Sequence, residues 1–194
     1  MSEVFRLYSD SNTCVFWNVE DYPIPYDLEP RSVEEKIKSE VKAMNLCGHV
    51  SIQFYGKESR FSDDDGLLRK FSDAGIKTGT LPEDDEHAGI YSMLLDMYLW
   101  GIENPSPGNV IVLSKNMDDS EVSLAFMGLY YKRYAVSLSD AEPDWMDNLD
   151  ENFVAKDLTL LFDDGGGSSQ APPDNKRKSD FVDREGSFQR RALA

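Results

Sequence analysis

The chain has 194 residues, of which 40% are hydrophobic, and its formal net charge is −16. This length allows one ordinary domain and a tail, and the hydrophobic fraction is sufficient for a core. Because no apolar run approaches the roughly 20 residues that cross a bilayer, we expect no membrane span. A chain with this much negative charge repels phosphate groups. We therefore expect its non-specific binding of nucleic acid to be weak and sensitive to salt.

The first residues lack the basic start and the apolar stretch of a secretory signal. Two cysteines, Cys14 and Cys47, fit neither a disulfide framework nor a metal-ligand pattern. Both have apolar neighbours in the sequence, so we expect buried free thiols in a reducing compartment of the cell, the cytoplasm or the nucleus.

Composition divides the chain into three parts. Residues 1–12 are polar and expected to be frayed, and residues 13–162 have the aromatic and aliphatic content of a folded domain. Residues 163–194 begin with Asp-Asp-Gly-Gly-Gly-Ser-Ser and continue through Ala-Pro-Pro, which is typical of a linker and a disordered tail.

The first strand is predicted in the run TCVFWNV, which starts at Thr13. Its nearly continuous apolar, β-branched and aromatic side chains favour a central strand covered on both faces, as in a parallel sheet. Asn18, Glu20 and Asp21 follow this run, and the next residues include two prolines that a strand does not tolerate. In open α/β sheets, ligands bind at the carboxyl ends of the strands.

Helices and strands then alternate along the chain. Ser32 and Glu35 have the spacing of a capping box, which predicts a helix over residues 32–44. A second helix is expected over residues 63–74, with Leu67, Leu68 and Phe71 facing inward and Gly75 as its left-handed cap. Further helices are expected over 83–100 and 122–131, and strands over 49–55, 76–81, 110–113, 134–138 and 158–162. The order predicts an α/β fold with a parallel sheet and right-handed crossovers.

Acidic residues occur at three places that such a sheet brings together. They follow the first strand, they lie at the start of the long third helix and at Asp96 within it, and they follow the fourth strand as Asp118 and Asp119. Convergent carboxylates suit Mg²⁺ or Mn²⁺, which prefer oxygen ligands. One or two such ions can activate water and stabilise an in-line displacement at phosphorus.

The motif VFWNVEDYPIP resembles the opening motif of plant NYN domains, which commonly reads VFWDIEDCPIP. The resemblance continues through VSIQFYG, FSDAGI, MLLDMYLWGIENPSP, VIVLSKN and GLYYKRYAVSLS, and so covers roughly residues 13–140. The chain is similar in this respect to the NYN domain of meiosis regulator and mRNA stability factor. The resemblance implies a PIN-like three-layer αβα sandwich, acids at the carboxyl edge of a mainly parallel sheet, and a metal-dependent endoribonuclease activity in active members.

Two departures from the family pattern bear on this activity. Asn18 stands where the family has its first acid, and Ser114-Lys115-Asn116 stands where the family commonly has SGD or SSD. An amide oxygen can still bind a cation but contributes no charge. Lys115 can either repel a cation or contact a phosphate.

The predicted site combines these residues. Asp21, Asp96 and Asp118 are the catalytic candidates, and Ser114 and Lys115 are the substrate-binding candidates. The candidate ligands of Mg²⁺ or Mn²⁺ are Asn18, Asp21, Asp85, Asp96, Asn116 and Asp118. Because Asp85 matches the family's acid ahead of the third helix and Asp96 lies on nearly the same helical face, the sequence leaves open which of the two faces the site.

Four of the candidates also have a structural alternative. Asp21 can stabilise a turn before the prolines, Asp118 can cap a helix together with Glu121, and Asp96 can be a partly buried carboxylate bonded to a neighbouring strand. Ser114 can begin the next helix.

Three functions are therefore consistent with the sequence. The first, which we favour, is an NYN-domain protein of RNA metabolism and post-transcriptional regulation with a degenerate endoribonuclease site. The second is an active endoribonuclease that depends on Mg²⁺ or Mn²⁺. The third is a protein-interaction or dimerisation module that binds no nucleic acid, and needs no cofactor.

Overall fold

The computed structural model describes residues 7–25, 27–61, 66–82, 86–115, 120–139, 158 and 161. Its five strands are β1 (Thr13–Asn18), β2 (Val50–Lys57), β3 (Ile76–Leu81), β4 (Gly108–Leu113) and β5 (Tyr134–Leu138). Its helices are α1 (Pro30–Ala43), α2 (Glu58–Phe61), α3 (Leu67–Asp73), α4 (Glu86–Glu103) and α5 (Ser120–Tyr131). Among the described residues, none of the helices combines the length and the hydropathy that a membrane crossing needs.

The strands form one parallel sheet in the order β3-β2-β1-β4-β5. Two apolar cores cover its faces, one beneath α4 and α5 and one beneath α1 and α3. The predicted fold class, an αβα sandwich with a parallel sheet, is confirmed.

Strand β1 is central because its side chains are apolar on both faces. Cys14 and Phe16 pack beneath α4 and α5, whereas Val15 and Trp17 pack beneath α1, and all four are buried. Its last residue, Asn18, therefore falls on the α4 side by the alternation of side chains along a strand. Trp17 lies beside Leu113 in the register, so the ends of β1 and β4 are level at the carboxyl edge.

The start of α1 differs from the expected capping box. Pro30 occupies the first turn and Glu29 is the N-cap residue, which makes no side-chain capping bond, so Ser32 lies inside the helix. Proline is well suited to this position because its missing N–H would have no partner there. The capping box at Ser32 is therefore wrong, although the end of the helix near Met44 is confirmed.

Two expectations about α3 have different outcomes. Gly75 follows the helix with φ 79°, as the left-handed cap requires. Leu68, expected to face inward, is exposed, whereas Phe71 is buried. Residues 62–65, at which the helix was expected to begin, lie outside the described part of the chain.

A last strand over residues 158–162 is not found at the residues that the structure describes there. Leu158 lies in a 3₁₀ turn in which the Leu161 N–H donates to its carbonyl at 3.1 Å. The Leu158 side chain is nevertheless fully buried, because it packs into the core beneath α1. Apolar character predicted burial here but could not distinguish a strand from a turn.

Residues 7–12, part of the segment expected to be frayed, are hydrogen-bonded to the rest of the domain. The Cys47 N–H donates to the Ser9 carbonyl at 2.6 Å, and the Asn109 N–H donates to the Asn12 carbonyl at 2.8 Å. Asn109 also donates its side-chain amide to the Tyr8 carbonyl at 2.9 Å. Residues 8–12 are thus held against the amino edge of the sheet.

The two cysteines differ in burial. Cys14 is buried as expected, but Cys47 is exposed, so the prediction of two buried thiols is wrong for Cys47. The tail predicted over residues 163–194 lies outside the described residues.

Candidate functional site

The candidate site is formed at the carboxyl edge, where β1 and β4 end. Asn18 is the last residue of β1, and Ser114 directly follows β4. Because the two strands are level neighbours, the Asn18 Nδ2 lies 3.4 Å from the Ser114 Oγ, although 96 positions separate the residues in the sequence. Parallel pairing thus brings these two predicted site residues together.

Asp21 connects the loop after β1 to the end of β4. Its Oδ2 accepts three hydrogen bonds, from Asn18 Nδ2 at 2.7 Å, Ser114 Oγ at 2.8 Å and the Lys115 backbone N–H at 2.8 Å. Three donors around one oxygen satisfy an ionised carboxylate well. Asp21 is therefore more than the turn residue that the sequence offered as its alternative role.

The Asn18 amide is oriented by its neighbours. Its Oδ1 accepts from the Glu20 N–H at 3.0 Å, and its Nδ2 donates to Asp21. A carboxylate in place of this amide would put two negative oxygens at hydrogen-bond distance, which requires a cation or a shared proton between them. The amide removes that requirement, so the negative charge of Asp21 is stabilised by hydrogen bonds within the protein.

Ser114 is fully buried and does not begin a helix, since α5 starts at Ser120. Its backbone is held by Ser139 at the end of β5, whose Oγ accepts from the Ser114 N–H and donates to the Ser114 carbonyl, both at 3.2 Å. Ser114 thus supports Asp21 from inside the protein.

Lys115 contributes its backbone to the site and its side chain to the surface. The residue is exposed, and its Nζ lies 5.5 Å from the centroid of the Tyr22 ring, which is a cation–π arrangement. The Tyr22 carbonyl in turn accepts from Trp17 Nε1 at 2.7 Å, which ties this loop to the core. A positive charge next to Asp21 weakens attraction for a metal cation and strengthens attraction for a phosphate.

Asp96 lies in a different hydrogen-bonded group. Its Oδ2 accepts from Gln53 Nε2 and from the Tyr55 hydroxyl, each at 2.8 Å, so α4 is tied to β2. Burial raises the pKa of Tyr55 and the bond to Asp96 raises it further, because both favour the protonated phenol. This is the strand-bonded arrangement that the sequence left open as the alternative, and none of the donors that bind Asp21 contacts Asp96.

The buried thiol of Cys14 lies near the same group. Burial raises its pKa to about 12, the Ser51 hydrogen bond and Lys77 lower it, and the charge of Asp96 raises it. Cys14 precedes Asn18 by four residues on β1, which corresponds to roughly 13 Å along the strand. Tyr55, however, pairs with Asn18 in the register of β1 and β2, so the Asp96 group extends from the middle of the sheet to the level of the carboxyl edge.

Three further candidates, Asp85, Asn116 and Asp118, lie outside the described residues. Hydrogen bonds join Asn18, Ser114 and Lys115 to Asp21. Asp96 is bonded instead to Gln53 and Tyr55 of β2, and Tyr55 is level with Asn18.

The model of the NYN domain family matches residues 12–139, a range that includes all five strands. The chain belongs to the NYN-domain family. An NYN domain is an RNase-like domain of the PIN type, and nucleases of this type typically depend on a divalent metal ion. No curated protein matches the chain closely enough to be counted as a relative.

The described residues of this NYN domain do not fit such an ion. Where the structure describes the chain, no group of three or more histidine, cysteine, aspartate or glutamate side chains could hold a metal. Asp21 is the acid at the centre of the described site, and one of its oxygens is already used by three donors. A magnesium site needs an octahedral set of oxygens with open lone pairs.

Sequence reasoning missed the partners that fix these acids. Gln53 and Tyr55 are two residues apart on β2, so their side chains lie on the same face of the sheet. This spacing could have indicated a polar contact with α4, which covers that face. Glu20, named only as an acid after β1, accepts from the Lys57 N–H at 3.1 Å and lies 3.7 Å from the Arg60 guanidinium. It therefore joins the loop to the end of β2.

Proposed function

We propose that this NYN domain has a degenerate endoribonuclease site and acts in RNA metabolism and post-transcriptional regulation of gene expression. The observation that carries the proposal is the triply bonded oxygen of Asp21, together with Asn18 at the place of the family's first acid. In a working metal site these lone pairs would face the ion. Here three protein donors use the lone pairs of one Asp21 oxygen.

The described residues at the carboxyl edge suit binding of an RNA phosphate better than hydrolysis of the phosphodiester. Lys115 carries a positive charge at the surface, and the Tyr22 ring beside it offers an aromatic face. A lysine and an aromatic ring are the elements with which proteins hold a single-stranded backbone and stack a base. The strong negative charge of the whole chain limits such binding to low salt or to a specific RNA.

We place the chain among plant NYN domains, near the NYN domain of meiosis regulator and mRNA stability factor, and we place it inside the cell, in the cytoplasm or the nucleus, with the peroxisome as the alternative that the family resemblance offers.

The competing function is an active endoribonuclease. In that case Asp21, Asp118 and either Asp85 or Asp96 hold Mg²⁺ or Mn²⁺, with Asn18 and Asn116 as neutral oxygen ligands. The two functions differ in whether the wild-type chain binds the ion.

The test measures ion binding and RNA cleavage in the same samples. Mg²⁺ and Mn²⁺ binding is followed by calorimetry, and cleavage is followed on a fluorescent single-stranded RNA, for the wild type and for Asn18→Asp combined with Asn116→Asp. We expect the wild type to bind neither ion below millimolar concentration and to leave the RNA intact. We expect the double variant to bind Mn²⁺ at least roughly tenfold more tightly, because added carboxylates raise cation affinity.

Asn104→Asp is the matched control, since Asn104 lies beside Asn12 near the amino edge of the sheet, and it should change neither measurement. Cleavage by the wild type that needs Mn²⁺ and disappears in Asp21→Ala would replace the proposal with the active enzyme. A wild type that retains no RNA on a filter even at low salt would exclude the RNA-associated role.

A further inference from the structure

The outer surface of α4 and α5 exposes a large apolar patch. It consists of Leu95, Leu99 and Ile102 on α4 and Leu124 and Tyr131 on α5, which are between 49% and 78% exposed. We call these five residues the α4–α5 patch. Leu95, Leu99 and Ile102 recur at helical spacing, and such a stripe normally faces a core.

The two halves of the patch are adjacent. The Tyr91 hydroxyl donates to Glu121 at 2.8 Å, and the Tyr98 hydroxyl donates to the Ala125 carbonyl at 2.8 Å, so the helices lie side by side in the same direction. Leu95 follows Tyr91 by one turn, and Leu124 follows Glu121 by one turn. Both leucines therefore border the seam between the helices.

We infer that the α4–α5 patch is the contact surface for a second copy of this chain. The five side chains expose roughly 600 Å², the upper end of what one monomer usually leaves in a single patch. Pairing two copies removes about twice that area from water, roughly 1,200 Å², which is the lower limit for a specific interface. The area thus matches a weak dimer that needs no further surface.

The charges at the two ends of the patch favour an antiparallel pair. Glu121 is exposed in the first turn of α5, and Lys132 and Arg133 are exposed just beyond its last turn. The exposed Glu103 at the end of α4 cancels one of these two positive charges and leaves this end with a net charge of +1. A twofold axis near Leu99 puts the acidic end of one copy against the basic end of the other, twice per dimer. The net charge of −16 opposes association in general, but the Debye length of about 8 Å at physiological salt limits this repulsion to short range.

Sedimentation velocity of the full chain from 1 to 200 µM tests the inference. We expect a monomer–dimer equilibrium that Leu95→Asp combined with Ile102→Asp weakens at least roughly tenfold, since buried unpaired carboxylates are strongly unfavourable. Leu68→Asp on α3 is the matched control because Leu68 is also a large exposed apolar residue, and it should leave the equilibrium unchanged. Circular dichroism verifies that each variant is folded.

A cross-link defines the geometry without disturbing the patch. In a Cys47→Ser background, Leu99→Cys should form a disulfide with its own copy under mild oxidation, and Leu68→Cys should not. A wild type that stays monomeric at 200 µM overturns the inference, as does a dimer that the double variant does not weaken. Binding of a different protein by a monomeric wild type would assign the α4–α5 patch to that partner. Because the readout is association, its failure leaves the RNA proposal intact.

Discussion

Replacing Asp21 by alanine should destabilise the domain, although Asp21 is a candidate catalytic residue. The substitution removes three hydrogen bonds to an ionised oxygen, each of which contributes about 1.5–3 kcal/mol in proteins. The loss is smaller than the sum of the three bonds, because Asp21 is half-buried and the bonds share one oxygen. The loss is increased by the buried Ser114 hydroxyl, which keeps only a longer bond to the Lys115 carbonyl. We expect the free energy of unfolding to fall by about 2–4 kcal/mol.

Urea unfolding followed by fluorescence measures this change, because linear extrapolation gives the free energy of unfolding with an error of about 10–15%. Asp21→Asn keeps one acceptor oxygen and should cost about half as much. The exposed carboxylate of Asp27 lies in the same loop, and Asp27→Ala should change stability by less than about 0.5 kcal/mol. If Asp21→Ala proved as stable as the wild type or more stable, the carboxylate would be a strained functional group rather than a structural link, and our reasoning about the site would fail.

Two further predictions concern the core beneath α4. Gly79→Ala should destabilise the domain by about 1–3 kcal/mol in the same urea assay, because its Cβ would lie 2.6 Å from the buried Tyr55 ring. Gly101→Ala is the helical control, because its Cβ would approach the Tyr134 side chain no closer than 3.4 Å, and it should be neutral or stabilising. Equal losses in both variants would contradict the packing argument. Burial raises the pKa of Cys14 from its ordinary value of 9.0 to about 12, so the unfolded chain loses this proton first and wild-type stability falls as the pH rises above 9. Unfolding at pH 8 and 10.5 should therefore show a wild-type loss about 2 kcal/mol larger than that of Cys14→Ala, and parallel losses would show that the folded thiol ionises normally.

Composition and alternation were sufficient to predict the sheet. The run from Thr13 to Trp17 is apolar on both faces, and only a central strand of a parallel sheet buries both faces. Once β1 and β4 are parallel neighbours, the residues after them must meet, which is why Asn18, Asp21 and Ser114 were expected together and lie together.

Side-chain direction could not be predicted in the same way. Asp96 lies on a helix whose exposed side also bears Leu95 and Leu99, so hydropathy does not define which face covers the sheet. Its bonds to Gln53 and Tyr55 depend on how α4 crosses β2, which is a tertiary property. The start of α1 illustrates the converse, because two local signals, Ser32 and Pro30, competed and the proline prevailed.

The edge of this sheet can be balanced electrostatically in two ways. Several acids can share a cation, or one acid can be surrounded by donors. Where the structure describes it, this chain uses the second solution, since the Asn18 amide, the Ser114 hydroxyl and the Lys115 N–H all converge on Asp21. An amide instead of an acid at position 18 turns a repelling pair of oxygens into a donor and an acceptor. The hydrogen bonds at Asp21 therefore support our proposal that this nuclease-like fold has a degenerate site.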